Sequence, residues 1–178
     1  MLKVVVVAAI LFFYTAFQVF AQTIWQVKSA DISFKIKNFG MYVHGTLGGL
    51  EANIYFSPEN LTQSNIEASV KAETINTGNK SRDRHLRKED YFDVVQFPFL
   101  RMKSKKIIKE KDRFIGFFDL TIRNKTQEVQ MPFTFSPNGN EATFVGNFTI
   151  NRRDFGVGGN SWVLGDEVIV RVEVKAQK

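Results

Sequence analysis

Apolar and polar residues alternate with a period of two along most of this chain. Ile32, Phe34 and Ile36 alternate with Ser33, Lys35 and Lys37, and Ala52, Ile54 and Phe56 with Glu51, Asn53 and Tyr55. Ile66, Ala68, Val70 and Ala72 continue the pattern, as do Leu100 and Met102 between Arg101 and Lys103. Phe114, Gly116, Phe118, Leu120 and Ile122 form one long face, and Val129, Met131, Phe133 and Phe135 the next. Phe144, Gly146, Phe148 and Ile150 come after them, and Val168, Val170, Val172 and Val174 close the series. Period-two alternation predicts half-buried strands, and turn residues such as Ser57-Pro58-Glu59-Asn60 and Ser136-Pro137-Asn138-Gly139 separate them. Eight or so such strands in one chain, with no internal repeat, predict an all-β domain: a closed antiparallel barrel or a sandwich.

The pattern is interrupted once, by Thr77 to Pro98, which is too long and too charged for a hairpin turn. It carries Lys80, Arg82, Asp83, Arg84, Arg87, Lys88, Glu89 and Asp90, with Leu86, Tyr91 and Phe92 as apolar contacts. Asn79 or Ser81 can cap a short helix near residues 79–91, which Phe92 would pin to the mouth of a sheet. A turn is expected near Pro58 to Thr62. Inserts at the ends of barrels commonly form lids, rims or plugs.

Phenylalanine, at 18 residues, dominates the apolar faces and is interleaved with Gly45, Ala68, Ala72, Gly116 and Gly146. Two architectures share that signature. Large and small residues can fit the taper of a filled barrel, or the small ones can leave room for a ligand; an eight-stranded barrel is about wide enough for either.

Composition narrows the setting. Met1 to Ala21 has a basic start at Lys3, an apolar core from Val4 to Phe17 and a Val19-Phe20-Ala21 end, the pattern of a secretory leader cleaved after Ala21. An uncleaved anchor is the alternative, although the apolar run is short for a membrane span. The chain from Gln22 onward has the length of one domain. With no cysteine, the chain offers no thiolate chemistry, no disulfide and no lipid-anchored cysteine. The net charge of +6 suits an anionic lipid surface or an acidic head group, or simple solubility; export argues against nucleic acid.

Candidate catalytic chemistry is thin. His44 and His85 are the two histidines, with no spacing that would hold a metal. Ser81, Asp83 and His85 fall around one helical turn, where they splay apart instead of converging as nucleophile, base and orienting acid. Gly156-Val157-Gly158-Gly159 lacks the lysine and the strand-to-helix setting of a phosphate loop and reads as a flexible connection. Asn60, Asn124 and Asn147 match glycosylation acceptors by chance. No metal, cofactor or enzymatic activity is expected.

Thr77-Gly78-Asn79, Arg82-Asp83, His85-Leu86, Phe92-Asp93-Val94 and Pro98 together resemble the signature of the YceI-like family, in spacing as well as residue type. Asn38-Phe39-Gly40 with Val43 and Gly45 is similar to that family's first hairpin. Gly116 to Ile122 is similar to its mid-chain strand, and Ile150-Asn151-Arg152 with Asp154-Phe155-Gly156 to its penultimate element. The resemblance covers Trp25 to Ala176. It departs at the start, where the family's early Asp and His-Ser pair is missing.

The resemblance implies a periplasmic or secreted lipocalin-like eight-stranded antiparallel β-barrel that binds a polyisoprenoid in an apolar cavity. The residues then expected to line the cavity are Phe34, Ile36, Ile54, Phe56, Ile66, Ala68, Val70, Ala72 and Phe92, continuing with Leu100, Met102, Phe118, Leu120, Met131, Phe133, Phe148 and Val170. Thr77, Arg82, Asp83, His85, Leu86, Arg152 and Asp154 are expected to hold the insert in place, with Arg82 and Asp83 clamping it to barrel-end carbonyls and to Arg152 or Asp154. The expected partner is an isoprenoid lipid of polyprenyl phosphate or quinone type. A fatty acid or fatty amide, or a solid-core interaction protein without ligand, are the alternatives. Contact with a membrane surface and a homodimer both stay open.

Overall fold

Phe114, Gly116, Phe118, Leu120 and Ile122 are all buried on one face of a single strand, as their spacing predicts. The computed structural model describes residues 23–178; the expected leader, Met1 to Ala21, lies outside the described residues. Among the described residues, nine strands occur: β1 (Ile24–Asn38), β2 (Met41–Leu47), β3 (Glu51–Tyr55), β4 (Asn65–Lys71), β5 (Phe99–Glu110), β6 (Arg113–Ile122), β7 (Lys125–Asn138), β8 (Glu141–Asn151) and β9 (Leu164–Gln177). One helix, α1 (Lys80–Leu86), lies between β4 and β5.

All neighbours are antiparallel, and β1 pairs with β9 from Gln26↔Gln177 to Asn38↔Leu164, which closes the sheet into a barrel. Eight strands make the closed circuit: β1 and β3 to β9. The ninth, β2, shares an edge of β1 with β3. Low in the barrel that edge meets β3 through Trp25↔Ile54; higher up it meets β2 through Phe34↔Gly45. Closure leaves few free strand edges.

Two bulges interrupt the alternation. The register shifts between Val27 and Ser29 on β1, so Trp25 and Ile32 both point inward despite their odd and even positions. A second shift between Ser104 and Lys106 on β5 likewise lets Met102 and Ile107 share the interior. At that bulge the Ser104 hydroxyl accepts from the Ile66 N–H at 2.9 Å and donates to Asn65 Oδ1 at 3.1 Å, so the irregular backbone is satisfied.

The interior divides into two clusters along the barrel axis. At the end bearing both Thr23 and Lys178, Trp25, Ile54, Phe56, Ile107, Phe114, Phe133 and Phe144 pack with Val174 and Ala176. Phe56 sits edge-on to four rings, Phe114, Phe133, Phe135 and Phe144, at 5.0–5.6 Å. Such geometry adds to the gain from burial. The Trp25 indole N–H donates to the Phe56 carbonyl at 2.9 Å. The aromatic rings fill the interior there. The second cluster, around Phe118, Leu120, Val70, Leu100 and Phe148, lies toward α1.

The insert is shorter as a helix than its charge pattern predicts, ending at Leu86 instead of near Tyr91. Asn79 caps it, accepting from the Ser81 and Arg82 N–H groups, and Phe92 N–H returns to the Leu86 carbonyl at 3.0 Å. The turn expected over Pro58 to Thr62 is a short 3-10 turn at Leu61–Gln63. Ala72, expected as the last inward residue of β4, begins another such turn, Ala72–Thr74.

Candidate functional site: an apolar cavity at one end of the barrel

Between the second cluster and the insert lies a cavity of about 210 Å³. Its floor is Leu120, Val70 and Met102; its walls are Ile32, Phe34 and Ile36 of β1, Val168, Val170 and Val172 of β9, and Phe148 and Ile150 of β8. Leu86, Tyr91 and Phe92 of the insert, with Ile75, cover it. The polar residues that border it are Asn38, Ser69, Thr77, Arg82, Arg101 and Arg152; Ser69 and Arg101 alternate with the inward Ala68, Val70, Leu100 and Met102 and so turn their side chains outward. A chamber with so little polar lining suits a hydrocarbon ligand.

The structure brings together Phe34, Ile36, Ala68, Val70, Phe92, Leu100, Met102, Leu120, Phe148 and Val170 around this cavity. Seven other expected lining residues lie elsewhere. Ile54, Phe56 and Phe133 belong to the aromatic cluster at the opposite end. Phe118 is fully buried beneath the cavity, its ring covering Gly116 so closely that a side chain there would collide with it. Met131 fills the space over Gly146, where a Cβ would come within 2.8 Å of its sulfur. Ile66 packs between the two clusters. Ala72 is buried, and its N–H donates to the Pro98 carbonyl at 2.9 Å.

The small residues therefore do not mark emptiness in general. Gly45, Gly116 and Gly146 seat the large side chains of Phe34, Phe118 and Met131; only Ala68 among the interleaved small residues borders the cavity. Val43, Leu47, Leu50, Ile75, Ile122, Val157 and Leu164 also line it. Leu50, Ile75 and Val157 sit in irregular connections, where no alternation signals an inward face.

The insert is held by a different network from the one expected. Asp83, buried, accepts from the Thr77 N–H at 2.9 Å and the Thr77 hydroxyl at 2.6 Å. Arg82 donates to the Thr77 hydroxyl at 2.7 Å and the Thr77 carbonyl at 2.8 Å. This pair organises the start of α1 and does not reach Arg152 or Asp154. The clamp onto the barrel end is Arg87, which donates to the carbonyls of Glu73 at 2.7 Å and Ile75 at 3.0 Å. His85 is exposed, with its ring edge-on to Tyr91 at 4.9 Å, and Asp154 is exposed on the turn after β8. Neither borders the cavity.

Among the described residues, Arg152 is the most deeply buried charge. It donates to the carbonyls of Val157, Gly159, Leu164 and Gly165 at 2.7–3.2 Å and to Asp166 at 2.9 Å. The guanidinium fork thus gathers the whole loop from Val157 to Asp166 around one side of the rim. Titration behaviour is perturbed elsewhere. Lys103 holds the Glu67 carboxyl below its ordinary range and is itself raised by Glu67. Glu128 raises Lys105, and a hydrogen bond from Ser57 lowers Glu59. None of these groups faces the cavity. Among the described residues, no group of three or more His, Cys, Asp or Glu could hold a metal ion.

Comparison with known proteins places this geometry. The YceI-like domain model matches residues 25–176. A UPF0312 protein of Pseudomonas savastanoi is 27% identical over 138 residues, covering 73% of this chain and 72% of that protein. A UPF0312 protein of Photorhabdus laumondii is 28% identical over 101 residues, covering 56% of this chain, and the match spans about half, 53%, of that relative. Among solved structures, Burkholderia cenocepacia BcnA superposes with a TM-score of 0.79 at 24% identity, over 83% of this chain and 96% of that one. A polyisoprenoid-binding domain from Saccharophagus degradans gives 0.63 at 10% identity, over 86% and 97%. At these identities the structural likeness shows the barrel fold.

Proposed function

This chain belongs to the YceI-like family, and on that premise we propose that it is an exported carrier that sequesters an isoprenoid lipid, tail first, in the cavity beneath α1. The observation that carries the reading is the cavity itself: an almost wholly apolar chamber within a closed barrel, whereas charged side chains line much of the recess at the opposite end. Its likeness in fold to a domain described as polyisoprenoid-binding supports the ligand class, and the leader-like start of the sequence supports export.

Magnitudes favour recognition of the tail. Each buried methylene contributes about 0.8 kcal/mol, whereas an exposed ion pair at the rim contributes about 0–1 kcal/mol. Volume sets a further condition. A dry cavity of about 150 Å³ accommodates benzene, so a chamber of about 210 Å³ takes the terminal part of a prenyl chain. A longer tail needs the cover formed by Leu86, Tyr91 and Phe92 to move outward. The chemistry is binding and release, with no covalent step.

Mass spectrometry of lipid extracted from the purified protein tests the reading. An isoprenoid alcohol, phosphate or quinone at near-stoichiometric amount is the expected result. A fatty acid or fatty amide would keep the carrier and change the ligand class. Protein free of lipid that also fails to take up farnesol or a short-chain quinone would replace the carrier with a ligand-free interaction protein.

A further inference from the structure

The cavity rim continues into an exposed apolar surface that the barrel does not use. Phe39 and Met41 are each 72% exposed, Trp162 is fully exposed, and Tyr42 and Val163 are also exposed. They come from two turns that form one surface: Asn38 pairs with Leu164, and the Phe39 N–H donates to the Val163 carbonyl at 2.9 Å. Asn38 and Leu164 themselves line the cavity, so this patch adjoins the chamber at its rim.

Phe39 is poorly explained by folding alone. It occupies the first position of the two-residue turn between β1 and β2, at φ 50°, followed by Gly40 at φ 77°. Asparagine, aspartate or glycine is favoured at that left-handed position, and a bulky side chain is disfavoured. The corresponding left-handed positions after β5 and β6 carry Lys111 and Arg123. At Phe39 the chain accepts both strain and exposure of a large ring. Trp162 is presented similarly, on a turn in which the Ser161 hydroxyl accepts from the Val163 and Leu164 N–H groups.

Basic side chains stand next to the patch. Lys35 and Lys37 lie over the Tyr42 ring at 4.9 and 5.7 Å; of the neighbouring carboxylates, Asp166 is paired with Arg152 and Arg153, and Glu167 is exposed on β9. Aromatic and aliphatic tips flanked by lysines match the polar–apolar boundary of a bilayer, where tryptophan is favoured and lysines meet anionic head groups. A two-fold contact between copies through this patch would bring the same lysines together. Thr23, the first described residue, lies at the far end of the barrel.

We propose that Phe39, Met41, Tyr42, Trp162 and Val163, with Lys35 and Lys37, dock the rim of the cavity onto an anionic membrane surface, so that a lipid tail passes between bilayer and barrel without crossing bulk water. This docking role rests on the carrier reading, but its test is separate. Purified protein is mixed with vesicles of phosphatidylcholine alone or of phosphatidylcholine with phosphatidylglycerol, and binding is read by co-sedimentation and tryptophan emission. Trp25 is buried at the far end, so a blue shift on vesicle addition that disappears in Trp162→Phe reports the patch.

Wild type is expected to bind the anionic vesicles and to bind neutral ones much less. The double variant Lys35→Gln/Lys37→Gln should bind about tenfold more weakly, and Phe39→Ser/Met41→Ser/Trp162→Ser should lose binding while keeping its melting temperature. No binding to anionic vesicles, or binding unchanged in the triple variant, overturns the proposal. So does a concentration-dependent dimer that the triple variant dissolves, which would give the patch to a second copy. Lipid extracted from the same preparations separates the two readings: bound lipid without vesicle binding sinks only the docking surface, whereas absence of lipid and of uptake sinks the carrier.

Discussion

The ring of Phe34 occupies the space that a side chain on its cross-strand partner, Gly45, would need. Phe34 lines the cavity, so this pair sets how far the ring projects into it. Gly45→Ala is expected to push the Phe34 ring toward the chamber, costing about 1–3 kcal/mol and reducing bound lipid. Melting temperature and lipid content measure both effects. Adding Phe34→Ala to the same chain should restore room for the methyl group and recover lipid uptake; a double variant no better than Gly45→Ala would mean that the glycine serves the backbone instead.

Arg152 is expected to behave as a strut for the loop from Val157 to Asp166. Its removal leaves four carbonyls without this donor and takes one of two arginines from Asp166, which keeps Arg153. Arg152→Ala should therefore cost about 3 kcal/mol or more in urea denaturation. Arg152→Lys should recover only part, because one ammonium cannot reach groups arranged for a planar fork. Limited proteolysis should cut both variants first within residues 157–163. Equal stability of wild type and Arg152→Ala would remove this role.

For Asp83, the expected loss is local. Asp83→Ala leaves the Thr77 N–H and hydroxyl without their acceptor and should cost about 1–3 kcal/mol. Bound lipid should fall only in proportion to unfolded protein. If stability instead holds while lipid disappears, the Arg82–Asp83–Thr77 network belongs to head-group recognition, since Thr77 and Arg82 both border the cavity.

Processing provides an independent check on export. The Val19-Phe20-Ala21 sequence predicts that the secreted chain begins at Gln22. Intact-mass measurement on protein recovered from the exported fraction decides it, and full-length chain in the membrane fraction would favour an uncleaved anchor.

The barrel was legible in the sequence wherever alternation ran without a bulge. Phe114 to Ile122 and Phe144 to Ile150 read directly as strands with one buried face. Trp25 on β1 and Ile107 on β5 did not, because the shifts at Val27/Ser29 and Ser104/Lys106 reverse which parity points inward. The strand Met41–Leu47 alternates from Tyr42 onward, with Val43, Gly45 and Leu47 turned inward and Tyr42, His44 and Thr46 exposed, but Met41 at its start is exposed as well. The cavity was half legible. Periodicity states which side chains point inward, but not whether they meet across the axis. Phe56 and Phe133 do meet, and their rings fill the interior there. Phe34 and Phe148 line a gap, because Leu86, Tyr91 and Phe92 cover it from an insert whose docking no period encodes. The roles of Arg87 and Arg152 were hidden for a related reason: both bind backbone carbonyls, which carry no residue-type signal.

The division of the interior makes the last prediction specific to each end. Ala68 borders the cavity, so Ala68→Phe should place a ring in ligand space. Apo stability should change by less than about 1 kcal/mol, below the usual cost of overpacking, while bound lipid falls steeply. Ala72→Phe should behave in the opposite way, because Ala72 is buried against the second cluster and its N–H is tied to Pro98; overpacking there should cost about 1–3 kcal/mol or more. Phe56→Ala, in the aromatic cluster, should cost about 3–5 kcal/mol whether or not lipid is present. Phe148→Ala, at the cavity wall, should cost less in lipid-loaded protein than in apo protein, since the tail can fill the vacated volume. Thermal denaturation of all four variants, before and after delipidation, measures the contrast. If Ala68→Phe unfolds the protein as readily as Ala72→Phe, the chamber closes up in solution and the tail-first carrier loses its site.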